Sequence, residues 1–135
     1  MDSNLKKTLI AWAEEYNDPK YFQEDPIIFP TRFARSHECG EASLADVEIS
    51  ALLSSHLAWG RRAMIVRDCD RMFEEMSWRP YDYIMNGEYR DEDISLHRTI
   101  KWSEFAAICN RLRDAYSTRN SLEGMSDMEI RCRIF

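Results

Sequence analysis

From Ser43 to Trp59 the chain reads SLADVEISALLSSHLAW, and apolar or small residues point in nearly every direction around that stretch. A helix that is apolar on almost all sides is stable only when other elements surround it. This segment therefore predicts a central helix over 43–59, with the rest of the chain wrapped around it. Ser50, Ala51, Ser54, Ser55 and Ala58 are small enough to let neighbouring helices approach closely. Ser43 is a favourable N-cap, and Asp46 places a negative charge in the first turn, where the helix dipole favours it. Gly60 breaks the helix, and Arg61-Arg62 open the next one.

The wrapping elements follow from apolar spacing. Leu5, Leu9, Trp12, Ala13 and Tyr16 share one face of a helix over 4–16, which Asn17-Asp18-Pro19 stops. The two prolines in YFQEDPIIFPTRF predict an ordered strap over 25–33, with a short helical turn after Pro30. Residues 34–43 read as a loop. Residues 61–76 form a strongly amphipathic helix with Ile65, Val66, Cys69, Met72, Phe73 and Met76 in one stripe. Arg67, Asp68, Asp70, Arg71, Glu74 and Glu75 fall outside that stripe. Pro80 starts a short helix over 80–85, ended by Asn86-Gly87, and 88–101 read as irregular. A helix over 102–116 follows, and Ser126 caps a final one. No strand pair or repeat is legible. The expectation is an all-α orthogonal bundle of five or six helices around the central apolar helix, with the Pro-rich strap across it. Residues 1–135 form a single helical domain. Phe135 falls within an apolar-spaced helical segment, which predicts that this domain is the N-terminal part of a longer protein.

Charge and motif content exclude several functions. Lys and Arg total 18 against 24 Asp and Glu, a net charge of −6. That balance argues against a generally basic nucleic-acid binder, leaving room only for a local basic patch. The apolar runs are too short to span a bilayer, and the N-terminus carries acids where a signal peptide needs an apolar block, so the expected location is cytoplasmic with no membrane partner. The four cysteines lack any C-x-x-C spacing, and His37-x-Cys39 has no matching second pair, so no metal is assigned. Cys69 and Cys109 fall on apolar helix faces. The sequence has no G-x-G-x-x-G, no P-loop and no diagnostic Ser/His/Asp order, so no catalytic residue and no cofactor are assigned.

The junction LSSHLAWGRRAMI carries what chemistry the sequence suggests. A helix N-terminus offers free N–H groups and partial positive charge to an anion, and glycine lets a phosphate approach the backbone. Gly60, Arg61 and Arg62 fit that description. They fit equally a structural ion pair in which Arg61 and Arg62 meet Asp46 and Glu48. His56 reads as a core or helix-end residue. In SLHRTI, His97 and Arg98 form either a polar surface site or a loop anchor.

Taken in order, DPIIFPTRF, ADVEISALLSSHLAWGRRAMI, RPYDYI and SLHRTI make residues 5–130 resemble an uncharacterised bacterial family, a domain of unknown function catalogued as DUF twenty-four-hundred. That resemblance implies a full protein of roughly twice this length, and it implies no activity. The segment ALLSSH is also similar to helix-hairpin-helix base-excision DNA glycosylases of the endonuclease III type. There the buried helix ends in a polar residue that enters the duplex in place of a flipped base. This likeness implies a wedge role for His56, with Trp59, Arg61 and Arg62 beside it and the Arg pair holding flanking phosphates. The glycine-rich hairpin and catalytic Asp of those enzymes have no counterpart here, so this chain alone is not expected to be catalytic. The expectation is duplex DNA contact through His56, Trp59, Gly60, Arg61 and Arg62 within a larger glycosylase-like protein. The alternatives are a non-enzymatic interaction module that self-associates through an apolar patch, and a site for a small anionic ligand.

Overall fold

Helix starts follow the local capping chemistry. In the computed structural model, which describes residues 2–135, Asp2 accepts from the Asn4 amide at 3.1 Å and opens α1, Ser3–Tyr16. Asp18 and Pro19 start a single 3-10 turn, Pro19–Tyr21. Asp25 then accepts from the Ile27 amide at 3.0 Å, just ahead of α2, Ile28–Glu38. Where the sequence predicts a strap and then a loop, the chain forms three turns of helix. Pro30 is compatible because it occupies the third helical position, where its missing N–H has no helical partner to lose. Phe29 and Phe33, one turn apart, are both buried, and both rings pack on Phe73 at 5.3 Å. Tertiary packing thus extends a helix that local sequence alone does not require.

The expected central helix is α3, Leu44–His56. Ser43 and Asp46 form a reciprocal capping box: Asp46 Oδ2 accepts from the Ser43 amide at 2.9 Å, and Ser43 Oγ from the Asp46 amide at 3.2 Å. Ile49, Ser50, Leu53 and Ser54 are buried, and α2 packs along it. The helix ends at His56, one turn earlier than the spacing suggests, and residues 57–61 form a tight connection. Next come α4, Arg62–Glu75, and α5, Pro80–Asn86, which Gly87 closes in the left-handed conformation.

The segment expected to be irregular contains a small antiparallel hairpin, β1 (Ser95–His97) with β2 (Ile100–Lys101), paired Ser95 to Lys101 and His97 to Ile100. The sequence misses it because its strands are too short for an alternation signal and are fixed by contacts elsewhere: Leu96 and His97 are both buried. Two more helices follow, α6 at Trp102–Ser117 and α7 at Asp127–Arg133. The fold is an all-α bundle of seven helices among the described residues, one or two more than expected. Its core joins Ile49, Leu53 and Leu57 to Cys69, Met72 and Phe73 of α4 and to Trp102, Phe105, Cys109 and Leu112 of α6. No helix among the described residues is long and apolar enough to cross a membrane.

One expected core face stays outside. Leu5, Leu9, Trp12 and Tyr16 of α1 line up as predicted, yet α1 contains no buried residue. The apolar spacing fixes the face of the helix but not what covers it.

Candidate functional site

The connection between α3 and α4 is held from below by a buried polar network. Asp68 lies on α4 between Ile65 and Met72, three and four residues away, so it shares their inward face. Its side chain is 1% exposed. The amphipathic pattern places Asp68 outside the stripe because it is charged; its position on the helix places it inside. Three donors converge on its carboxylate. His97 Nδ1 lies 2.6 Å from Oδ2, Arg67 Nε donates to Oδ1 at 2.9 Å, and Arg71 Nη1 donates to Oδ1 at 3.2 Å. Burial alone would raise the Asp68 pKa. Hydrogen bonds from Arg67, His97 and Arg71, together with the charge of Arg67, outweigh it and hold the carboxyl below its ordinary value.

His97 carries the network to the junction. Its Nε2 lies 2.9 Å from the backbone carbonyl of Trp59. Both ring nitrogens therefore face acceptor oxygens, and a ring that donates from both satisfies both. The Trp59 indole meets the His97 ring edge-on, with centroids 5.8 Å apart. Arg71 ties in the same strand by donating to the Leu96 carbonyl at 3.2 Å. Asp68 in α4, His97 in β1 and the α3–α4 connection are thus locked together.

Above this network the surface is basic and aromatic. The Arg98 guanidinium lies 4.3 Å from the centre of the Trp59 ring, a cation–π contact, and Trp59 remains 39% exposed. Gly60 has φ +112°, a backbone conformation that L side chains rarely adopt. A Cβ at Gly60 would stand 2.6 Å from Arg98 Nη1, so the glycine makes room for the stacked guanidinium. Arg98 itself has φ +53° at the hairpin turn, where Ser95 Oγ donates to its carbonyl at 2.6 Å. Arg61 is the N-cap of α4 with no side-chain cap bond, and Arg62 follows; both are exposed.

The expected pairing of Arg61 and Arg62 with Asp46 and Glu48 does not form. Asp46 is engaged by its capping box and by the Tyr81 amide at 2.9 Å. Glu48 accepts from Ser121 Oγ at 2.9 Å, from the Leu122 amide at 2.9 Å and from the Tyr116 hydroxyl at 3.3 Å. The two acids tie α3 to α5 and to the segment after α6. Arg61 and Arg62 pair with no acid among the described residues.

His56 is set apart from this cluster. Its ring is half-buried and stacks on Phe135, with centroids 4.7 Å apart, and it lines a cavity of about 330 Å³ with Thr99, Glu104 and Arg111. Burial lowers its pKa, and the charge of Glu104 opposes that only in part. No group of three or more His, Cys, Asp or Glu able to hold a metal ion occurs among the described residues.

With the junction and its supports in place, comparison with known families is decisive on one point. The family described as "Protein of unknown function (DUF2400)" matches residues 25–130. This chain belongs to that family. The DUF2400 segment holds the whole network, Trp59, Asp68, His97 and Arg98 included, while α1 lies ahead of it. No curated protein and no solved structure matches the chain.

Of the residues the sequence singled out, Trp59, Gly60 and Arg98 meet directly, Arg61 and Arg62 follow as exposed residues at the start of α4, and His56 packs on Phe135. The signal for His97 and Arg98 was present in SLHRTI. That for Asp68 was its i+3 and i−4 relation to Ile65 and Met72.

Proposed function

We propose that the α3–α4 junction of this DUF2400 chain contacts the phosphate backbone of duplex DNA. One observation carries the reading: the Arg98 guanidinium lies over the exposed Trp59 ring and against Gly60, which leads directly into the unpaired Arg61 and Arg62 at the start of α4. Arg98, held there, thus adjoins the residue that precedes two exposed arginines at a helix N-terminus, in a chain that is otherwise acidic. Arginine forks match phosphate oxygens bidentately, and the stacked Arg98 is held in place before any ligand arrives. Such contacts position a protein on a duplex without reading its sequence. His56 is packed on Phe135, so the wedge role implied by the glycosylase likeness passes to Trp59, the exposed aromatic of the junction.

The test is titration of labelled duplexes, intact and abasic, with the protein at several salt concentrations. Affinity should fall as salt rises. Replacing Arg61 and Arg62 by alanine together should weaken binding to both duplexes and flatten the salt slope by about 2. Undetectable binding at low salt, or binding that ignores the double replacement, rejects the reading.

A further inference from the structure

We propose that His97 is a proton-operated latch on the α3–α4 connection: its imidazolium holds the Trp59 carbonyl, and loss of one proton releases it. The two oxygens that face the ring can only accept. Asp68 Oδ2 lies 2.6 Å from Nδ1, and the Trp59 carbonyl lies 2.9 Å from Nε2. Arg67 and Arg71 keep the Asp68 carboxyl ionised, so it has no proton to donate in return. A neutral imidazole carries one N–H and must turn a lone pair on one of the two oxygens; the imidazolium donates to both. The His97 side chain is 0% exposed and that of Asp68 1%, so bulk water does not stand by to replace a lost partner.

The surrounding charges decide which bond the neutral ring keeps. From α4 come the Asp68 anion and, bound to it, Arg67 and Arg71. The connection offers only the neutral Trp59 carbonyl. The hairpin carries Arg98, which lies over Trp59, and Glu104 of α6 is taken by the Lys101 amide of β2 at 2.8 Å. A hydrogen bond to an ion is about twice as strong as one between neutral groups. The last proton therefore stays on Nδ1, toward Asp68, and Nε2 is the atom that loses its proton. At 2.9 Å its lone pair then opposes those of the Trp59 carbonyl, and the carbonyl turns away.

Glycine lets that turn happen. The Trp59 carbonyl shares a peptide plane with the Gly60 N–H, and rotating the plane changes φ of Gly60, the residue type with the widest range of φ. Gly60 stands at φ +112° with Arg98 against it, and the Arg98 guanidinium lies 4.3 Å from the centre of the Trp59 ring. A rotated plane therefore shifts Trp59 and Gly60 against Arg98. The junction is closed in acid, and it is released as pH rises and His97 gives up its proton.

NMR of the isotope-labelled chain from about pH 5 to pH 10 tests this. The His97 ring signals should be those of a doubly protonated ring at the acid end and should pass to the Nδ1–H form as pH rises. The Gly60 amide, which shares the peptide plane of the latched carbonyl, should shift with the same midpoint. A ring that is neutral at the acid end, a ring that stays doubly protonated throughout, or a Gly60 amide that does not follow the ring overturns the latch. These signals come from the unaltered chain, so they need no variant that folds. Duplex titration on either side of the His97 step then reads the effect on the candidate site, and this arm alone rests on the DNA reading. Affinity should fall about fivefold more across the step in wild type than in His97→Gln, the worth of one hydrogen bond. Binding with the same pH dependence in both overturns control of the site by the latch. Joint titration of His97 and Gly60 in a chain that binds no duplex at either pH supports the latch and rejects the DNA reading instead.

Discussion

Asp68 and His97 meet at 2.6 Å in the protein interior, 29 residues apart in the chain, and their contact joins α4 to the only hairpin among the described residues. The imidazole passes that link on to the Trp59 carbonyl, so the shape of the candidate site depends on a pair that never reaches the surface. Removing either partner leaves the other buried, and the two losses differ. Asp68→Ala strips the shared acceptor from His97, Arg67 and Arg71 and should destabilise the fold by about 3–5 kcal/mol. His97→Ala leaves the carboxylate to its two arginines and should cost about 1–3 kcal/mol. Urea denaturation of both variants measures the order; equal losses would mean that the arginines contribute nothing.

The same carboxylate sets an acid dependence. Its folded-state pKa lies below the ordinary 3.8, so the unfolded chain binds this proton first as pH falls. The stabilisation is complete above pH 3.8 and disappears as pH drops through the lower folded value. Wild type should therefore exceed Asp68→Asn in stability at pH 6, and the gap should close in stronger acid. A gap that is constant from pH 6 to pH 2 would contradict it.

Gly60 is the junction residue with the least freedom to change. Gly60→Ala asks an L side chain to hold φ +112° and places its Cβ against Arg98. The arginine tip can swing aside at little cost, whereas the backbone cannot relax without moving Trp59 off His97. A loss of about 1 kcal/mol or more is expected in thermal unfolding. Arg98→Ala is the control: it should weaken duplex binding while sparing the backbone and most of the stability.

Glu48 closes the bundle by holding the segment after α6. Glu48→Gln replaces an acceptor oxygen with an NH2 group that faces donors at Ser121 and Leu122. The expected cost is about 1–3 kcal/mol. Amide exchange at Leu122 should speed up more than at Cys109 in the middle of α6. Burial first, and then the Glu48 charge, push the Tyr116 hydroxyl well above its usual pKa, so the tyrosine remains a donor to Glu48 throughout the alkaline range used for thiol chemistry.

The cysteines should separate into two pairs by reactivity. Cys39 and Cys132 are exposed, while Cys69 and Cys109 are buried. Burial pushes the Cys69 thiol up to about 12 and Cys109 further still. Thiolate is the reactive form, so a thiol reagent should count two fast groups in the native protein and four after unfolding. Three or four fast groups would show that the α4 and α6 faces open readily.

Apolar periodicity in the sequence determined the central α3 helix, the stripe of α4, the faces of α6 and the capping residues at Ser43 and Ser126. These are local properties: a helix needs only its own spacing and caps to be recognised. The sequence also determined that Gly60, Arg61 and Arg62 stand at a helix junction. Only the tertiary structure decided what lies around them. It drew α2 into a helix through Phe29 and Phe33 on Phe73, and made a hairpin of residues too few to announce one. It buried Asp68 despite its charge, and gave Asp46 and Glu48 to partners 35 to 74 residues away instead of to the arginines. Those outcomes turn on which distant donors reach a buried acceptor, and desolvation makes that choice strict: a carboxylate goes inside only where enough donors meet it. Short-range pattern cannot supply that information, because His97, which meets Asp68, and the donors to Glu48 come from segments that adjoin them only after the chain has folded.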